Sequence, residues 1–79
     1  MKNQNQNFSS KRYHFYYNSP DWEVGIVQDT NSRLSYGCDS TDGIRYALQN
    51  CDYGHTVEGN FVEFNSVEEL YAKYPELFI

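Results

Sequence analysis

Three runs of alternating apolar residues, joined by turns too short for a crossover, confine this chain to an antiparallel sheet. Between Lys11 and Tyr17, the side chains of Tyr13, Phe15 and Tyr17 fall on one side and those of Arg12, His14 and Tyr16 on the other, because successive strand residues point to opposite faces. Asn18-Ser19-Pro20-Asp21 is a turn signal, in which proline fixes its own φ beside short polar residues. Trp22 to Asp29 alternates again, with Trp22, Val24 and Ile26 making an apolar face and Glu23, Gly25, Val27 and Asp29 the wetter one. Asp29-Thr30-Asn31-Ser32 turns the chain a second time, and Arg33 to Cys38 then presents Leu34, Tyr36 and Cys38. Parallel strands would need a crossover of about a dozen residues or more. A three-strand antiparallel meander is the reading that remains.

Two helices complete the pattern. Ile44, Ala47, Leu48 and Cys51 stand at the spacing of one helical face, behind the N-cap candidates Asp39, Ser40 and Thr41, with Asp42 near the positive end of the helix dipole and Gly54 ahead as a terminator. Ser66-Val67-Glu68-Glu69 is a capping box; Val67, Leu70, Tyr71 and Tyr74 form the apolar face behind it, and Glu69 and Lys73 an i,i+4 pair. Pro75 should end that helix, leaving Leu77, Phe78 and Ile79 to dock on the core. Between the helices, Thr56 to Phe64 contains Gly59-Asn60 and is either a short hairpin with Val57 facing Val62, the preferred reading, or one bulged strand. The fold class is therefore α+β: meander, helix, short hairpin and C-terminal helix. Both helices are expected on one sheet face made by Trp22, Val24, Ile26, Leu34 and Tyr36. Residues 1–10 read as a disordered Gln/Asn-rich polar tail, and residues 11–79 as a single domain.

Charge separates these parts. The formal net charge is -5, yet Lys2, Lys11 and Arg12 lie in the first twelve residues. From Tyr13 onward only Arg33, Arg45 and Lys73 stand against all eleven acids, which gives -8. Such a field repels nucleic-acid and membrane phosphates and attracts basic partners. The N-terminus has no apolar signal-peptide core and no segment approaches a membrane span, so the expectation is a cytoplasmic protein with reduced cysteines.

Candidate chemistry is sparse. Cys38, Cys51, Asp52 and His55 lack the paired knuckle spacing of a structural zinc site, and Cys51 lies on an apolar helix face. Cys51 and His55 are four apart with Gly54 between them, which does not secure a nucleophile–base pair. The adjacent Glu68 and Glu69 point apart on their helix. No phosphate loop, nucleophile elbow or H-E-x-x-H helix occurs. The expectation is a chain with no cofactor, no metal and no catalytic residues.

Eight tyrosines exceed what so small a core can satisfy, since each buried hydroxyl wants a partner. Tyr16, Tyr46 and Tyr53 fall off the apolar faces and are expected at the surface, where tyrosine supplies rigid contact area. With Glu23, Asp29, Asp39, Asp42, Asp52, Glu58 and Glu63 they form the candidate partner-binding set. Its expected partner is a basic protein or protein complex that binds nucleic acid, with no direct contact to nucleic acid or membrane. An alternative uses Lys11, Arg12 and the aromatic strand 11–17 to bind single-stranded nucleic acid, although the ribonucleoprotein glycines are missing and the domain has the wrong charge.

Short, acidic, one α+β unit and without a catalytic set, the chain resembles in general character the small phage-encoded inhibitors of the anti-CRISPR type. The resemblance spans the whole chain and contains no motif. It implies a Cas protein or Cas complex as target, contacted by Asp, Glu and Tyr side chains, and it transfers no individual residue.

Overall fold

In the computed structural model, which describes residues 11–17, 22–54, 57 and 59–78, the alternating runs pair into one antiparallel sheet. Its strands are β1 (Tyr13–Tyr16), β2 (Gly25–Asp29), β3 (Ser35–Cys38) and β4 (Phe61–Phe64), in the spatial order β3-β2-β1-β4. The α+β class and the meander are as expected. The tail 1–10 and the turn 18–21 lie outside the described residues.

The hairpin is not as expected. Phe61–Phe64 pairs with β1, placing Phe64 opposite Tyr13 and Val62 opposite Phe15. Val57 belongs to no strand, and Thr56 and Glu58 lie outside the described residues. The physical reason is the free edge of β1: joining a sheet that already has a buried face is worth more than an isolated two-stranded pairing.

Register assigns each side chain to a face. Tyr36, Val27, Phe15 and Val62 form a row across all four strands, with Cys38 and Phe64 on the same side. That side holds the core, where Phe15, Val27, Cys38 and Phe64 pack against Ile44 and Ala47 of α1 (Gly43–Gln49) and Val67 and Leu70 of α2 (Val67–Lys73). Both helices thus cover one face, as expected. Its composition differs from expectation, because β2 runs in the opposite phase. Val27, assigned to the wetter side, is fully buried under the helices, and Ile26 points away from them. Trp22 lies on the far side over Gly37, and Leu34 is exposed; only Val24 and Tyr36 of the expected set pack against the helix-side core.

The phase slips at Gly25. Its φ is 154°, and a Cβ there would run into the Tyr16 carbonyl oxygen and the Phe15 ring. Val24 donates its N–H to the Cys38 carbonyl at 3.1 Å, although Gly25 is the register partner of Cys38. Two successive residues therefore turn toward the helices, which simple alternation does not anticipate.

Helix α1 ends at Gln49, not at Gly54, because Asn50 closes it: its backbone N–H donates to Ala47 O and its side-chain amide to Tyr46 O. Asp42 is the N-cap residue but makes no capping bond; Ser40 Oγ accepts from the Gly43 N–H at 3.2 Å. In α2 the capping box forms with one shift. Ser66 Oγ accepts from the Glu69 N–H, and Glu69 accepts in return from Asn65 rather than Ser66. Glu69 is ion-paired with Lys11, and the charge of the expected partner Lys73 acts on it more weakly. Pro75 opens a 3-10 turn (Pro75–Phe78) that sets Phe78 against Phe15 and Tyr71, with ring centroids 5.6 and 5.1 Å apart. Leu77 docks as expected, and Ile79 lies outside the described residues. Among the described residues no helix is long and apolar enough to cross a membrane.

Candidate functional site

The acids divide into those the fold consumes and those it leaves at the surface. Asp29, expected on a binding face, is consumed. Its carboxylate accepts from the Asn31 N–H at 2.8 Å, which closes the β2–β3 turn, and takes both Nε and Nη2 of Arg12 at 3.0 and 2.9 Å. These donors, the Arg12 guanidinium foremost, hold the Asp29 carboxyl below the usual carboxylate range. Lys11 goes to Glu69, and Arg45 reaches across the helices to Glu68 at 2.6 Å. Among the described residues, Lys11, Arg12 and Arg45 are thus each paired with one of the chain's own carboxylates. Glu23, Asp39, Asp42 and Asp52 are exposed and make no ion pair among the described residues. Glu58 lies outside the described residues.

The tyrosines divide in the same way. Tyr46 and Tyr53 are 58% and 64% exposed, as expected, whereas Tyr16 is only 9% exposed. Tyr53 is fixed to the outer edge of β3 by a two-way backbone bridge with Ser35, at 2.7 and 3.1 Å. Tyr46 projects from α1 edge-on to Tyr36, with ring centroids 5.5 Å apart. Burial pushes the Tyr36 phenol up, and the neighbouring Tyr46 and the Asp52 charge add to the rise. Tyr46 beside Tyr36, Tyr53 bridged to Ser35 with Asp52 next to it in sequence, and exposed Leu34 are thus associated with β3. Sequence reasoning missed Leu34 and Tyr36, because both were assigned to the core.

A second surface occupies the sheet face away from the helices. Gly37, Ile26, Tyr16 and Phe61 form an apolar row there, beside a polar row of Ser35, Gln28, His14 and Glu63. The Trp22 ring lies on Gly37, where any Cβ would collide with it. Such neighbours explain why Tyr16 is buried: Phe61 packs on it at 5.1 Å and its hydroxyl donates to Gln28 at 3.5 Å. Phe61, on the edge strand, remains 43% exposed and stacks on His14 at 4.3 Å. Glu63 Oε2 lies 3.2 Å from His14 Nε2, but the two are not aligned as donor and acceptor, so Nε2 has no hydrogen-bond partner among the described residues. The sequence marked His14 and Tyr16 as sharing this face. It missed Phe61, whose strand was paired with the wrong neighbour.

The thiols have a structural setting. Burial pushes Cys38 up to about 12 and Cys51 up to about 11, so both are protonated at neutral pH and neither is an activated nucleophile. Cys51 Sγ donates to the Ala47 carbonyl at 3.1 Å. Among the described residues no three His, Cys, Asp or Glu side chains are grouped to hold a metal ion, and His55 lies outside them. No family model matches the chain, and neither a curated protein nor a solved structure matches it.

Proposed function

We propose that the chain is a non-enzymatic protein-binding module, an acidic inhibitor that blocks a basic, nucleic-acid-handling protein. One observation carries this reading. The folded chain spends Lys11, Arg12 and Arg45 on its own carboxylates and leaves Asp39, Asp42 and Asp52 exposed, close in sequence to the exposed rings of Tyr46 and Tyr53. Exposed carboxylates together with rigid aromatic area suit a positively charged groove, in which they stand in for phosphates and bases. The narrower form is inhibition of the anti-CRISPR type, by a phage-encoded protein acting on a Cas complex in the host cytoplasm. The alternative, direct binding of single-stranded nucleic acid, is weakened because both of its proposed bases, Lys11 and Arg12, already hold carboxylates.

The test is competition. Partner captured on the immobilised chain should be released by rising salt and by excess oligonucleotide, and Asp39→Asn/Asp42→Asn/Asp52→Asn should fail to capture it. For the narrower form, the chain expressed in cells with an active CRISPR system should suppress interference against a targeted plasmid. Direct oligonucleotide binding by the chain alone, lost on Arg12→Ala, contradicts the reading and supports the alternative.

A further inference from the structure

We infer that the edge of the open sheet face, at Phe61 and Glu63, is an anchor for an arginine side chain of the partner. The inference deepens the proposed function and rests on its premise of a basic partner, but it concerns a different surface from the β3 edge. Phe61 and Glu63 are two apart on edge strand β4 and so share a face. One is an aromatic ring left 43% exposed, in a row otherwise sealed by Trp22, Ile26 and Tyr16. The other is a carboxylate with 41% of its side chain exposed.

Charge complementarity identifies the occupant. Among the described residues, Asp29, Glu68 and Glu69 each form an ion pair with a lysine or arginine, and Glu63 forms none with either. Its near neighbour is His14, whose Nε2 is close but misaligned, so the carboxylate keeps acceptor capacity for an incoming donor. A planar guanidinium meets both groups at once: it stacks on the ring while its N–H fork donates to the carboxylate. An ammonium is a point charge and cannot form the stacked, forked arrangement. The ring is also set in place beforehand, since His14 and Tyr16 pack against it at 4.3 and 5.1 Å. Binding therefore orders few new groups.

The experiment is an NMR titration of the full chain with hexa-arginine, hexa-lysine and an oligothymidylate. Hexa-arginine should shift the amides of Phe61, Glu63, His14 and Tyr16 and bind more tightly than hexa-lysine of equal charge. Phe61→Ala and the near-isosteric Glu63→Gln should each weaken hexa-arginine binding on the order of tenfold, the scale of one stacked or charge-assisted contact. Unchanged core shifts, from Phe15 and Leu70, establish that both variants are folded. Equal binding of the two peptides overturns the inference, and so does insensitivity to Glu63→Gln. Shifts confined to Tyr36, Tyr46, Asp52 and Tyr53 overturn it while leaving the proposed function standing. Binding of neither peptide overturns both, and oligothymidylate shifting Phe61 in preference to arginine replaces the anchor with a base-stacking site.

Discussion

The two faces of the sheet are built from the same four strands, yet they solve burial differently. The helix face is closed by other elements: α1 and α2 bring Ile44, Ala47, Val67 and Leu70 down onto Phe15, Val27, Cys38 and Phe64. The far face is closed by its own side chains, with Trp22 laid over Gly37 and Tyr16 wedged beside Phe61. A face covered by helices can bury aliphatic side chains completely. A face that covers itself needs broad rings and a glycine beneath them, and it runs out of cover at the edge, where Phe61 remains in solvent. Stability is thus expected to reside mainly on the first face and binding on the unsealed margins of the molecule.

The largest expected effect breaks the helix face. Phe15→Ala removes a ring from its centre and should cost about 3–5 kcal/mol by urea denaturation, a large part of the roughly 5–15 kcal/mol available to a domain. Next comes the self-covered face. Gly37→Ala drives a Cβ into the Trp22 ring and should cost about 1–3 kcal/mol as overpacking. The same change in a Trp22→Ala background should cost much less, and the coupling read from that cycle measures the tryptophan cover directly.

Asp29→Asn sharpens the comparison at the rim of the helix face, and its effect depends on pH. Because the folded-state carboxyl is held below its ordinary value, its stabilisation is complete above that value and is lost as pH falls through the folded one. The gap between wild type and Asp29→Asn should be flat near neutrality and close on acidification below about pH 4. Phe61→Ala is the smallest effect. A half-exposed edge residue should change stability by about 0.5–1 kcal/mol, so a large loss in denaturation would show that the far face depends on its edge ring.

Much of this fold is legible in the sequence. The meander follows from alternation and short turns, and the helices from their apolar spacing and the Ser66 cap. The faces were misread because Gly25 reverses the phase of β2, and a positive φ leaves no mark in a hydrophobic pattern. β4 was misread because a Gly-Asn pair suggests a local turn, whereas the partner strand lies far away in sequence at β1. The site was legible by exposure at Tyr46 and Tyr53. It was not legible at Asp29, although Asp-Thr-Asn-Ser carries the signature of an aspartate that bonds its own turn. Nor was it legible at Tyr16, whose cover comes from Phe61 and Gln28 on neighbouring strands.

The most direct measurement is whether the acidic surface and nucleic acid compete for one groove on the partner. Partner bound to a labelled oligonucleotide should release it stoichiometrically on addition of the wild-type chain. The Asp39→Asn/Asp42→Asn/Asp52→Asn variant, folded by near-UV circular dichroism, should leave it bound. Equal release by that variant, or a ternary complex of partner, oligonucleotide and chain, would contradict the proposal that these carboxylates take the place of nucleic acid.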